Sequence, residues 1–89
     1  MIEETVTIIN RLGLHARAAA RLVDCAARFS SGTLIEKDGK SVDAKSIMSV
    51  MMLAAGQGTR LKLRVEGSDE QATFEAIAAL INDRFGEPD

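Results

Sequence analysis

Gly13-Leu14-His15-Ala16-Arg17 is the stretch of this chain with the means to do chemistry, and it holds the only histidine among 89 residues. Histidine titrates nearest neutral pH, and its neutral ring can attack phosphorus without a separate base. Thr5 to Ile9, just before it, are β-branched throughout and read as a strand. Ala16 to Ala27, just after it, read as a helix. His15 therefore falls at a helix N-terminus, where the first N–H groups have no intrahelical partner and the dipole is positive. The chemistry that fits is a phosphoryl group held on or beside the imidazole. Gly13 can take a backbone conformation that other residues avoid, so the loop can turn tightly ahead of His15. Arg17 lies in the first helical turn, where the dipole disfavours a cation. Binding a shared anion gives it a reason to be there. A histidine near a helix end can equally be a surface residue or a cap, so the rest of the chain has to decide.

Eighty-nine residues make a single domain, 1–89, with one core. A domain of that size buries roughly 60% of the surface its unfolded chain exposes. A formal net charge of −2 gives no general pull toward nucleic acid or an anionic membrane. Three Phe, with no Trp or Tyr, leave no platform for stacking bases. Cys25 is the only cysteine, which excludes an internal disulfide and fits a reducing cytoplasm. Its place in an apolar helical pattern makes it a core residue. One His and one Cys do not make a metal site by themselves. Ala55-Gly56-Gln57-Gly58 lacks the phosphate-loop pattern, so no nucleotide cofactor is indicated. No run approaches the ~20 apolar residues of a membrane span, and the acidic Met1-Ile2-Glu3-Glu4 is unlike a signal peptide.

The elements that must position His15 follow from periodicity. The first strand spans Glu4 to Ile9 and the loop to His15 spans Asn10 to Leu14. The first helix spans Ala16 to Phe29, with an apolar stripe of Ala19, Leu22, Val23, Ala26 and Phe29. Its many alanines favour helix and keep one side thin enough to lie close to a sheet. After Ser30-Ser31-Gly32, a second strand runs from Thr33 to Lys37. Asp38-Gly39 is a two-residue hairpin signal, and Lys40 to Asp43 form a short polar strand suited to a sheet edge. A short helix spans Ile47 to Ala54 with Ser46 as its N-cap. It is apolar almost all round, so some of Ile47, Met48 and Met51 must be exposed, which suggests a protein-docking surface. In the fourth strand, Thr59 to Glu66, Leu61, Leu63 and Val65 alternate with charged residues, so one face is buried and the other wet. After Gly67-Ser68-Asp69 the last helix spans Glu70 to Arg84, its inner stripe being Phe74, Ile77, Ala78, Ile81 and Phe85. Gly86 to Asp89 read as a frayed tail.

The order βαββαβα with one wet sheet face predicts an α+β, open-faced, two-layer sandwich. Its four-stranded, antiparallel-dominated sheet carries three helices on one face. A split crossover that puts the fourth strand between the first and second obeys the handedness rule.

Gly13-Leu14-His15-Ala16-Arg17, taken with Lys45-Ser46-Ile47-Met48-Ser49-Val50-Met51, resembles the HPr family of histidine phosphocarriers of the bacterial phosphoenolpyruvate-dependent phosphotransferase system. The resemblance extends over essentially the whole chain. It implies that His15 accepts a phosphoryl group on Nδ1 from phosphorylated enzyme I and passes it to a histidine of an EIIA-type protein. Arg17 would neutralise the phosphate. Ser46 would match the serine modified by the HPr kinase of some bacteria, and the short helix would match part of the surface that docks the partners. Ala18 stands where sugar-transport members usually carry Pro, and Ser49 where they commonly carry Gly. Ala18-Ala19-Ala20 and the run Met51 to Gly56 are more similar to the nitrogen-related branch, often called NPr. On the chemistry, the backbone N–H groups of Ala16, Arg17 and Ala18 would complete the phosphate site. A monomer is the expected state. The competing reading is a small regulatory protein-binding module in which His15 only caps its helix.

Overall fold

Which side of the sheet is covered is decided by alternation in its most central apolar strand. A computed structural model of the chain describes all 89 residues. It places Leu61, Leu63 and Val65 on the buried side and Arg60, Lys62, Arg64 and Glu66 on the exposed side. Each buried aliphatic side chain contributes roughly 1.5–3 kcal/mol relative to exposure. The strands are β1 (Ile2–Thr7), β2 (Gly32–Lys37), β3 (Lys40–Asp43) and β4 (Arg60–Glu66). The helices are α1 (Ala16–Ala27), α2 (Ile47–Met52) and α3 (Glu70–Asn82). The sheet order is β1-β4-β2-β3, with every neighbouring pair antiparallel. The fourth strand thus lies between the first and second, as the crossover rule requires. The fold is the α+β open-faced sandwich expected from the pattern.

The details shift where tertiary contacts override local preference. β1 starts two residues earlier than the expected Glu4, because Ile2 to Thr7 pair with Val65 to Arg60 along β4. Ile8 leaves the regular ladder but stays fully buried, and its N–H donates to the Thr59 carbonyl at 2.9 Å. α1 buries Ala18, Ala19, Leu22, Cys25 and Ala26. Val23 and Phe29, expected in that stripe, are only half-buried at its margin. Burial pushes the Cys25 thiol up, which suits a core residue and not a nucleophile. In α3, Thr73 joins Ile77 and Ile81 in the buried set, while Phe74 and Ala78 are half-buried. Asp38 (φ 52°) and Gly39 (φ 83°) both take positive φ, the geometry of the expected tight hairpin.

Lysines close two helix ends. The Lys45 ammonium donates to the Phe29 carbonyl at 2.9 Å, just beyond α1. The Lys37 ammonium donates to the Leu53 carbonyl at 2.8 Å, just beyond α2. Both cations sit at the negative ends of their helix dipoles.

The C-terminal segment departs most from expectation. α3 ends at Asn82, and Arg84–Gly86 form a 3-10 turn. Arg84, Phe85 and Gly86 all have positive φ (56°, 55° and 77°). Left-handed geometry costs a non-glycine residue roughly 1–2 kcal/mol. Complete burial of Phe85 offsets it, as does a hydrogen bond from the Arg21 guanidinium to the Phe85 carbonyl. The segment 86–89 is therefore not a frayed tail. It is turned back over the loop that carries His15.

A second clamp ties the α1–β2 corner to the β4–α3 corner. The Asp69 carboxylate accepts from the N–H groups of Ser30 and Ser31, each at 2.9 Å, and from the Ser31 hydroxyl. The Ser31 hydroxyl and then the Ser30 N–H hold the Asp69 carboxyl far below its ordinary value of 3.8. A carboxyl depressed by folding contributes stability above its unfolded value and loses it as pH falls toward the folded one. The melting temperature is therefore expected to fall as the solution is acidified below about pH 4. In Asp69→Asn the melting temperature should be lower at neutral pH and its acid dependence shallower. Melting curves of both proteins across that range check this, and parallel curves would remove Asp69 as the acid-sensitive clamp.

Candidate functional site

His15 is the N-cap residue of α1 by its backbone, with extended φ and ψ (−72°, 177°). Its carbonyl accepts the Ala19 N–H at 2.8 Å. Its ring does not cap the helix. Instead the ring hydrogen-bonds through Nε2 to a Glu87 carboxylate oxygen. The hydrogen bonds with His15 and then Asn10 hold the Glu87 carboxyl below its usual range. An ionised carboxylate can only accept, so Nε2 carries the hydrogen. Nδ1 has no partner among the side-chain hydrogen bonds, and the side chain keeps 30% exposure. One ring nitrogen is held and the other is open.

The loop that presents the ring is built from Asn10 and Gly13. Asn10 is fully buried. Its amide donates to the Gly13 carbonyl at 2.8 Å and to the other Glu87 oxygen at 3.0 Å. Both neighbours are acceptors, which fixes the amide orientation. Gly13 has φ +66°, and a Cβ there would lie 2.5 Å from the Ala55 carbonyl oxygen and 2.8 Å from the Gly56 Cα. The next N–H, of Leu14, donates to the same Ala55 carbonyl at 2.8 Å. The His15 loop is thus stitched to the segment just past α2.

His15, Ala16 and Arg17 line one cavity of about 510 Å³, together with Arg11, Leu12 and the tail residues Glu87 to Asp89. Arg17 is exposed and enters none of the three ion pairs of the molecule. The Arg11 N–H donates to the Asp89 backbone oxygen at 3.0 Å, holding the tail against the cavity. Ala16, Arg17 and Ala18 have N–H groups without a backbone partner, as the first turn of a helix requires. Ala18, however, is fully buried. Of the three expected phosphate-binding N–H groups, only those of Ala16 and Arg17 belong to exposed residues.

The residues of α2 stand apart from this cavity. Ser46 is the N-cap residue of α2, and its carbonyl accepts the Val50 N–H at 3.0 Å. Its hydroxyl does not cap the helix; it pairs with the Ser49 hydroxyl at 3.1 Å. Ile47 and Met51 are each 39% exposed, and Met48 and Met52 are 68% and 66% exposed. These methionines therefore do not fill core gaps, and Val50 and Leu53 are the residues that anchor this segment inside. Glu87 and Asn10 were missed from sequence because Gly-Glu-Pro-Asp reads locally as a loose end. Only Phe85, the last apolar residue of the inner stripe expected for α3, signals that the chain is tied down so near its end.

Residues 2–83 match the family described as "PTS HPr component phosphorylation site". The chain belongs to the HPr family. The phosphocarrier protein HPr of Cupriavidus necator is 53% identical over 87 residues, 98% of each chain. That of Pseudomonas aeruginosa is 53% identical over 83 residues, 92% of each chain. A crystal structure of HPr from Thermoanaerobacter tengcongensis, 49% identical, superposes with a TM-score of 0.94 over 98% of each chain. The protein is thus a phosphocarrier of the phosphotransferase system. An HPr-family loop packed this closely at Gly13 should not accept a side chain. Gly13→Ala is expected to lower stability by about 1–3 kcal/mol through its positive φ and its clash with backbone. Denaturant unfolding measures it, and a loss below the error of the method would mean that the loop has room to move.

Proposed function

We propose that His15 takes a phosphoryl group on Nδ1 from phosphorylated enzyme I and delivers it to a histidine of an EIIA-type protein. The observation that carries this reading is the division of labour on the ring, with Nε2 engaged by Glu87 and Nδ1 open at the start of α1. A ring that only capped its helix would bond to the N–H groups of the first turn. The absence of that bond favours the carrier over a simple binding module. Phosphoryl transfer asks a protein mainly for positioning and charge stabilisation. The Arg17 guanidinium and the Ala16 and Arg17 N–H groups supply it to the equatorial oxygens. The site is open and shallow, which suits a carrier that must release its group. No helix is long and apolar enough to cross a membrane, and the relay proposed here is cytoplasmic, with the carrier working as a monomer. The Ala18 and Ser49 replacements point toward a regulatory, nitrogen-related output. A panel of sugar-type and nitrogen-type EIIA acceptors reads that output directly.

Labelling with phosphoenolpyruvate and enzyme I tests the assignment. His15→Ala is expected to lose acid-labile phosphorylation with its melting temperature retained. Arg17→Lys keeps the charge but not the planar fork, and should slow transfer about tenfold. An acid-labile phosphoryl group on His15→Ala would place the site elsewhere.

The exposed apolar residues Ile47, Met48 and Met51 fit the surface that receives enzyme I and the EIIA-type protein. Ser46, half-buried at its edge, fits the target of an HPr kinase where a bacterium has one. A phosphate there adds about −1.5 to −2 charge, which opposes apolar or acidic docking and leaves the fold intact. Ser46→Asp should slow enzyme I-dependent labelling of His15 at low salt, with partial recovery at high salt. Parental rates at low salt would exclude Ser46 as a switch on docking.

A further inference from the structure

Three of the four methionines of the chain lie on α2, as Met48, Met51 and Met52. Their spacing of three and four residues puts them on one face of the helix. Met48 and Met52 are 68% and 66% exposed, and Met51 is 39% exposed. None belongs to the core, which this segment enters through Val50 and Leu53. A soft, polarizable thioether suits apolar docking, and when exposed it is also open to oxidation by a peroxide. Cys25 offers no such target. It is 7% exposed, and burial pushes its thiol up, so little of the reactive thiolate forms there. The fourth methionine, Met1, is 64% exposed but lies at the other end of β4 from α2, its ammonium paired with Glu70 at 2.8 Å. Exposed sulfur is thus gathered on the face where partners are proposed to dock, with one methionine standing elsewhere.

We propose that Met48, Met51 and Met52 form a reversible oxidation site, through which hydrogen peroxide turns down phosphoryl transfer by making the α2 face polar. This rests on that face receiving enzyme I and the EIIA-type protein. In the oxidation a sulfur lone pair forms an S–O bond as the O–O bond of the peroxide breaks. The proton on the transferred oxygen passes to the departing hydroxide, which leaves as water. Sulfur is oxidised by two electrons, and the peroxide is reduced by two. The return step needs a dithiol reductant. The S–O bond breaks, the oxygen leaves as water with two protons, and the two thiols become a disulfide.

A sulfoxide is strongly polar, and a partner that packs on it must desolvate an oxygen that has no donor waiting. Docking weakens while the His15 site is untouched, because none of the three methionines lines its cavity. The fold persists, because these side chains are exposed and fill no core space. A sulfoxide carries no net charge, unlike a phosphate on Ser46, so salt does not restore the rate. Met48 and Met52 are expected to be oxidised ahead of Met51, in the order of their exposure.

The experiment treats the protein with hydrogen peroxide and locates the added oxygen by peptide mass. It then measures the initial rate of enzyme I-dependent labelling of His15, with a melting curve for each form. Oxidation at Met48, Met51 and Met52 is expected to slow labelling about tenfold at low and high salt alike, with the melting temperature retained. Treatment with methionine sulfoxide reductase should restore the rate. The triple variant Met48→Leu, Met51→Leu, Met52→Leu roughly keeps side-chain volume and retains Met1 as its only methionine. Compared with itself before and after peroxide, whatever its starting rate, it should show no slowing. A parent that is oxidised at all three positions and labelled at its untreated rate overturns the proposal. So does an equal slowing in the triple variant, a loss that the reductase does not reverse, or a melting temperature that falls with the rate. Met48→Glu, left untreated, tests the docking reading by itself. If it is labelled at the parental rate, the partners dock elsewhere and the oxidation proposal falls with that reading. If it is slowed while the oxidised parent is not, docking stands and the oxidation site alone has failed.

Discussion

The constraint on which this structure depends is the one-sided burial of a four-stranded sheet. β4 supplies it, with Leu61, Leu63 and Val65 on one face and four charged residues on the other. Because only one face is apolar, α1, α2 and α3 must share it. Because β4 sits between β1 and β2, the chain leaving β1 is brought beside the segment that follows α2. There Leu14 bonds to the Ala55 carbonyl, and Gly13 has room for nothing larger than hydrogen. The His15 loop is thus a by-product of how the sheet is closed. Its geometry is held by backbone contacts that no side-chain substitution elsewhere easily replaces.

The same layering separates the His15 loop from the exposed apolar face of α2. α1 buries small residues, Ala18, Ala19 and Ala26, and can lie close to the sheet with its N-terminus free for His15. α2 is too short to bury all of its apolar residues in so small a core. It keeps Val50 inside and leaves Ile47, Met48, Met51 and Met52 outside. Flexible, polarizable methionines suit a surface that accepts more than one partner. A carrier needs both properties together: a group that can be handed over, and a surface that neither donor nor acceptor owns.

Charge is arranged with similar economy. Some of the cations meet anions or carbonyls. Lys45 and Lys37 meet the carbonyls at the ends of α1 and α2, and Arg21 meets the tail. Arg17 is an exposed cation at the positive end of α1 that enters no ion pair. That charge, on the same cavity as the open ring nitrogen, fits the transient dianion of the proposed phosphoryl site.

Much of this was legible in the sequence. Alternation gave the wet and buried faces of β4, the 3-and-4 spacing gave α1 and α3, and Asp38-Gly39 gave the hairpin, because each signal depends only on neighbouring residues. The resemblance carried by residues 13–17 and 45–51 pointed to His15 and Arg17. What the sequence could not reveal was the fate of residues 84–89. Gly-Glu-Pro-Asp has no periodicity, and its structure is imposed by partners from the other end of the chain: Arg21 on Phe85, Asn10 and His15 on Glu87, Arg11 on Asp89. The burial of Ala18 and the early end of α3 belong to the same class. Local propensity chose the elements; the closing of the chain on itself decided which groups face the His15 ring, because such contacts exist only once distant segments are packed together.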